Sequence, residues 1–420
     1  MIIRLKDVEA KLLALIFAFS PFFQHYVLPG IGKNLEYLLI LLVGGGYAVL
    51  SILKRNVLTA KNVATPALVI MAVYCIINHV IERNYIYKPE ITNIVNIISF
   101  FAVLFICLFD FRNISVRQYY YRYVENIAVA MSIIVFAQIV IYYVFGNAIT
   151  FDRSFLFPFK DCFSDSGKQY LLTSRMVING LFRPSAFFLE PAHFSQFCTI
   201  GLACSLIRED ILLNKRAIII SAGIVLTTSG LGILSVAFIW AVFLYINSEG
   251  ISRKRMNRMI IGTLFFVFVV CILFFVSESF RSAVMRIVVS SNGYDSGIQG
   301  RTRNIVLINR LSLQELIFGM GYKNIPTYGN LNTQYYLTGI FELIYCQGII
   351  GTSLFVICYI YMMFKACKAK QNLPLHILFA YIPFLLGSSN LVMLTLIQYI
   401  PFLYIPLKKT NNTRLLAKRI

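Results

Sequence analysis

Apolar runs of about 20 residues recur along the whole chain, each bounded by a short basic cluster. That length is what an α-helix needs to cross a bilayer, and a chain built this way has few other ways to satisfy its backbone in lipid. The runs lie near 11–30, 36–53, 64–81, 91–109, 125–146, 191–207, 217–229, 231–247, 258–278, 336–364, 375–389 and 391–407. They predict an all-α, polytopic transmembrane helical protein of about twelve spans. Only 13% of the 420 residues are charged, against about 25% in soluble proteins. Between spans, only 147–190 and 279–334 are long, so residues 1–420 read as a single integral membrane domain with two large loops.

The net charge of +20 does not signal a nucleic-acid partner. Lys and Arg gather beside apolar runs, as at Lys54/Arg55/Lys61, Arg112/Arg117/Arg122, Arg253/Lys254/Arg255/Arg258 and Lys365/Lys368/Lys370. This is the pattern that fixes orientation, with basic residues kept inside. With twelve spans both termini are cytoplasmic, every cluster falls inside and both long loops face outward. Two segments bear on the count. Residues 217–247 are broken at Thr227-Thr228-Ser229-Gly230 and fit two short, tightly turned spans better than one kinked helix. Residues 336–364 carry Gly348-Ile349-Ile350-Gly351 and fit one long or kinked helix, since two would put Lys365 and Lys368 outside. The basic residues ahead of the first run have no small-residue cleavage site after them, so the run reads as a span. Nine cysteines form no CxxC pair, and no metal-ligand spacing or phosphate-binding glycine loop is present, so no metal or cofactor is expected.

The two loops hold eleven of the 38 basic residues, an excess that suggests an anionic substrate. The densest polar cluster is Arg183-Pro184-Ser185-Ala186-Phe187-Phe188-Leu189-Glu190-Pro191-Ala192-His193, at the mouth of the sixth span. Pro191 suits the first turn of a helix with Glu190 near its cap. His193 follows Glu190 by three residues and can share its face. An Arg fork suits phosphate oxygens, and a carboxylate or imidazole beside it can take a proton from a hydroxyl. The second loop carries Gly300-Arg301-Thr302-Arg303. A short amphipathic helix is predicted over Asn304–Leu313, then a turn at Phe318-Gly319-Met320-Gly321 and Lys323 just beyond it. Glu342 is expected about two turns into the span 336–364, where a carboxylate is a functional candidate by default. Structural alternatives exist for each: a capping carboxylate, an interfacial Arg, a packed His, a helix-to-helix hydrogen bond.

These motifs, in this order over residues 180–365, resemble the O-antigen polymerase family and the related O-antigen ligases. The resemblance rests on Arg183, Ser185, Phe187, Glu190 and Pro191, the break Thr227–Gly230, Gly300-Arg301, Phe318–Gly321 and Gly348–Gly351. Ligases carry a histidine near the exit of the second large loop. None occurs between 279 and 375, which favours a polymerase. The resemblance implies a GT-C-like, metal-independent membrane glycosyltransferase in the bacterial plasma membrane. It would move a growing O-antigen or capsule glycan from undecaprenyl pyrophosphate to an incoming lipid-linked repeat unit, at the outer face. Arg183, Glu190, His193 and Arg301 would be catalytic, with Arg303, Lys323 and Glu342 binding substrate. The bilayer and a chain-length regulator are the further partners it implies. A ligase, a lipid-linked oligosaccharide flippase or transporter, and a sugar acyltransferase are the rival readings. The flippase is disfavoured by the lack of an internal repeat, the acyltransferase by the lack of an internal catalytic His.

Overall fold

The structure is a computed structural model that describes residues 2–24, 26–28, 35–53, 62, 64–81, 91–149, 158, 177–178, 181–209, 214–247, 272, 275, 281, 303–322, 324–325, 337–369, 372–387 and 399. Among the described residues the regular elements are helices, apart from one pairing of two-residue strands, β1 (Val177–Ile178) antiparallel to β2 (Leu181–Phe182), and isolated bridge residues at Tyr26, Val27 and Asn62. The predicted spans at 258–278 and 391–407 fall almost wholly outside the described residues.

Helix α1 (Ile2–Phe19) starts and ends earlier than the predicted first span. Pro21, which has no N–H to continue the ladder, opens a 3-10 turn over Ser20–Phe23 instead. Helix α2 (Leu35–Leu53) carries a π-turn at Ile40–Gly44. Helices α3 (Ala64–Ile81) and α4 (Ile91–Asp110) follow. Helix α5 (Ile114–Phe145) begins eleven residues before the expected span at 125, because Asn113 caps it by accepting from the Ser115 N–H at 3.0 Å. It closes on Gly146 at φ 72°. At 1.5 Å per residue its 32 residues rise about 48 Å, more than the ~30 Å hydrocarbon core.

After β2 come α6 (Pro191–Glu209), α7 (Lys215–Leu226) and α8 (Gly230–Asn247). Nineteen residues separate Ser221 from Trp240, yet the indole N–H donates to the Ser221 hydroxyl at 3.0 Å. A single straight helix would hold these positions about 28 Å apart, and only a reversal of the chain brings them into hydrogen-bond contact. The segment 217–247 is therefore a hairpin, as its Ser/Thr/Gly break suggests. Helix α7 has 12 residues and rises only about 18 Å. Beyond the loop, a 3-10 helix (Arg303–Arg310) and α9 (Leu313–Phe318) take the place of the one helix expected over 304–313. Ser312 splits them by forming a capping box with Glu315. Helix α10 (Gly339–Lys368) is one helix interrupted at Gly348, whose φ of 65° and ψ of −175° break the ladder. Helix α11 (Asn372–Gly387) follows.

Helix α5 is the spine, packed on α1, α6 and α7, while α6 and α11 hold α8, and α10 leans on α3 and α11. Small residues set the closeness of these crossings, as membrane helices need when no water drives them together. A Cβ on Gly201 would come within 2.3 Å of Ala128, one on Gly223 within 2.5 Å of the Ser132 hydroxyl, and one on Gly232 within 2.4 Å of the Ser195 hydroxyl. The half-exposed Arg216 at the start of α7 reaches the buried Glu125 of α5 at 3.2 Å and the Asn126 side chain at 2.8 Å. Four helical segments, Leu35–Leu53, Ala64–Ile81, Ile114–Phe145 and Gly339–Lys368, are long and apolar enough to cross a membrane among the described residues.

Candidate functional site

Strand β2 delivers Arg183 to the edge of the α5–α6–α8 group. Phe182 anchors it, with its ring stacked on Tyr142 at 4.7 Å. The chain then reverses in a tight turn. The Ser185 hydroxyl donates to the Phe188 carbonyl at 2.6 Å, and the Phe188 N–H returns a bond to the Ser185 carbonyl at 2.9 Å. Phe188 plugs the turn into the core between Phe22, at 4.8 Å, and Phe197, at 5.6 Å. Ala186 sits at φ 49°, a region that L-residues avoid. Its N–H donates to the Gln138 side-chain oxygen at 2.9 Å, and the Gln138 amide donates to the Ile149 carbonyl at 2.9 Å. Gln138 lies seven residues before the end of α5, so the turn is recessed by about 10 Å along that helix.

Helix α6 starts at Pro191 with Glu190 in the capping position, as its sequence suggests. The Glu190 carbonyl accepts from the His193 N–H at 3.1 Å and the Phe194 N–H at 3.2 Å. Glu190 and His193, both half-buried, thus flank the first turn. Arg183 reaches across to the α7–α8 corner, where its Nε donates to the Thr228 hydroxyl at 3.2 Å. Thr228 has φ 53°. Thr227 lies 3.4 Å from Ser195, whose hydroxyl donates to the Pro191 carbonyl at 2.8 Å. Ser229 caps α8 by accepting from the Gly232 N–H at 3.3 Å. The stretch from Arg183 to His193 and the break at 227–230, separate motifs in the sequence, are one polar corner in space. Ala186 and Thr228 are the positive-φ residues other than glycine among those described, and both lie in it. Backbone strain of this kind persists where surrounding structure enforces it, and it gathers at functional sites.

A second junction forms around Gly348. The Met320 N–H donates to the Tyr345 carbonyl at 2.9 Å and the Gly321 N–H to the Cys346 carbonyl at 3.0 Å. The Phe318–Gly321 turn is docked on carbonyls that the kink releases. The Tyr74 hydroxyl donates to the Gln347 carbonyl at 2.7 Å and the Phe318 carbonyl at 3.2 Å, while the Asn78 amide donates to the Cys346 carbonyl at 3.2 Å. Glu342 belongs to this junction. It lies in the first turn of α10, not two turns in, because the helix starts at Gly339. Its N–H donates to the Thr338 carbonyl at 2.7 Å, and the residue is buried. Burial pushes the nearby Tyr322 phenol well above its ordinary range, with smaller contributions from Tyr37, Cys75 and Glu342. Arg301 and Lys323 lie outside the described residues, and Arg303 is described only through its backbone at the start of the 3-10 helix.

Sequence reading passed over Gln138, although a glutamine within the apolar part of a long helix is the signal that should have marked it. It also passed over Glu36 and Asp110, two fully buried carboxylates in α2 and at the end of α4. Gly44 clears the space that Asp110 fills, since a Cβ there would come within 2.8 Å of its carboxylate. No group of three or more His, Cys, Asp or Glu residues able to hold a metal occurs among the described residues.

Long apolar helices, four of them among the described residues able to cross a bilayer, define an integral membrane protein. Residues 12–296 match the family model for WcaD colanic acid polymerase. That is more than half of the chain, and the protein belongs to this family of polysaccharide polymerases. Membership makes it a glycosyltransferase-type enzyme of the bacterial inner membrane that builds polysaccharide from a lipid-linked oligosaccharide. No curated protein and no solved structure matches the chain. The family match includes the first helices, which look generic as sequence, and it ends before Gly300-Arg301, Phe318–Gly321 and Gly348–Gly351.

Proposed function

We propose that the Arg183–Thr228 corner is where the growing glycan leaves its lipid pyrophosphate carrier. The observation that carries this reading is the bond from Arg183 to Thr228 beside the Glu190 and His193 turn. In this reading Arg183 is the phosphate-binding cation, and Glu190 and His193, on the turn that follows it in the chain, are the proton acceptors. The donor is the growing chain on undecaprenyl pyrophosphate and the acceptor is a hydroxyl of the incoming lipid-linked repeat unit. The bond from the donor's anomeric carbon to the pyrophosphate oxygen breaks, and the acceptor oxygen bonds to that carbon. The acceptor's proton passes to the Glu190 and His193 pair, and lipid pyrophosphate departs. Charge grows on the leaving oxygen as the bond breaks, and a preorganised guanidinium in a partly dehydrated site stabilises it without a metal. Arg301, Arg303, Lys323 and Glu342 are assigned to the second loop's side of the substrate.

The corner faces outward in this reading. Twelve spans with both termini inside, and loops 147–190 and 279–334 outside, keep every basic cluster in the cytoplasm. Helix α7, read as one of the twelve, rises only about 18 Å, less than the ~30 Å hydrocarbon core, so in this reading the corner it leads to lies below the outer surface.

The test is the lipid-linked material in host cells lacking the protein. Single repeat units capped on the mature carrier, with polymer restored by the wild-type gene, are expected. Polymer of normal length in the deletion strain contradicts the reading. Repeat units trapped on the cytoplasmic face would mark a flippase instead.

A further inference from the structure

We propose that Thr228 is a positioning residue for Arg183, and that the α7–α8 corner holds a strained backbone in order to present its hydroxyl. The inference deepens the reading of the corner given above and rests on it. The Nε of Arg183 donates to the Thr228 hydroxyl at 3.2 Å. Nε is the nitrogen nearest the stem, so this bond fixes the plane in which the two terminal nitrogens lie. A guanidinium held in one plane meets phosphate oxygens as a fork, which a freely rolling side chain does not.

The backbone makes the same point independently. Thr228 adopts φ 53°, a genuine outlier for a β-branched residue. Glycine takes positive φ at 319, 321 and 348 in this protein, and glycine or asparagine would be easier here too. The next residue but one is Gly230, so a one-position shift in sequence would have placed the glycine close to the turn. The hydroxyl explains the threonine: glycine has none, and the Oγ must leave the corner toward β2 to reach Arg183. Thr227 and Ser229 face other tasks. Thr227 donates to the Ile224 carbonyl at 2.7 Å, and Ser229 caps α8. Each of the three hydroxyls at the break therefore has its own partner, and Thr228 is the one directed to Arg183. At the other end of the same turn, Gln138 holds the strained Ala186 N–H at 2.9 Å. The turn that follows Arg183 is thereby held at a second point.

The experiment compares Thr228→Val, Thr228→Gly and Thr228→Ser with Arg183→Ala. All are assayed for elongation of lipid-linked repeat units extracted from the deletion strain, with unfolding temperature measured on the same detergent-purified samples. Loss of a hydrogen bond to a charged group predicts a fall in kcat of about 10- to 100-fold for both Thr228→Val and Thr228→Gly, with KM little changed. Thr228→Gly, released from strain, unfolds at a higher temperature than Thr228→Val, so rate follows the hydroxyl and not stability. Thr228→Ser recovers most of the rate that Thr228→Val loses. Combined with Arg183→Ala, Thr228→Val adds no further loss, because the two act as one unit. The inference is overturned if Thr228→Gly elongates as fast as the wild type, if Thr228→Ser is as slow as Thr228→Val, or if the double variant shows fully additive losses. An inactive Arg183→Ala beside a fully active Thr228→Val removes the inference and leaves the reading of the corner standing. A fully active Arg183→Ala removes both.

Discussion

Two junctions in this protein solve the same geometric problem with different residues. Where the second loop docks on α10, positive φ falls on Gly319, Gly321 and Gly348. Where loop one meets the α7–α8 corner, it falls on Ala186 and Thr228. The glycine junction is built for closeness. A Cβ on Gly319 would meet the Gly348 nitrogen at 2.4 Å, and one on Gly348 would meet the Ile317 carbonyl at 2.3 Å. No side chain fits, and none is needed, because backbone carbonyls carry the contacts. The Arg183 corner accepts strain and keeps side chains. Strain retained against an easy glycine replacement is what the proposed role of the Arg183 corner requires, whereas the glycines of the second junction are explained by close packing alone.

The difference can be broken by substitution. The largest effect is expected at the glycines. Gly319→Ala and Gly348→Ala each force backbone against backbone at positive φ and should lower stability by about 3 kcal/mol or more. A large fall in unfolding temperature, or loss of protein from the membrane, checks this. Gln138→Leu removes the acceptor of the Ala186 N–H and the donor to the Ile149 carbonyl. It should cost roughly 1–3 kcal/mol by leaving buried groups unmet, and it should also slow polymerisation. An active, equally stable variant would show that the turn holds itself. Tyr74→Phe strips the hydroxyl shared by the Gln347 and Phe318 carbonyls, and about 1 kcal/mol of stability should go with it. The smallest effect has the opposite sign. Ala186→Gly relieves φ 49° and should raise stability by roughly 0.5–1 kcal/mol. A fall would mean that the conformation is less costly than its dihedral implies.

The helical architecture was legible because it depends on apolar run length and on caps. The run at 64–81 is α3 to the residue, Pro191 starts α6, and the Ser/Thr/Gly break makes a hairpin. Boundaries set by polar residues were harder. Asn113 extends α5 through a basic amphipathic stretch that hydropathy alone assigns to a loop, and Pro21 ends α1 early. Arg183, Glu190 and His193 were visible as a cluster because they are close in sequence. The partnership of Arg183 with Thr228 spans 45 residues, and that of Ala186 with Gln138 spans 48. Long-range contacts of that kind leave no periodicity to read. Glu342 lies a turn nearer the helix start than the apolar run implies, because hydrophobicity in the sequence continues through 336–338 while the helix itself begins at Gly339.

The central claim is that Arg183 stabilises the departing pyrophosphate, and the rate of elongation by Arg183→Ala and Arg183→Lys in reconstituted membranes tests it most directly. At equal protein level and equal unfolding temperature, Arg183→Ala should lose about 10²- to 10³-fold in kcat. Arg183→Lys should regain only part of that loss, since an ammonium keeps the charge but not the planar fork. Elongation by Arg183→Ala at the wild-type rate would contradict the account.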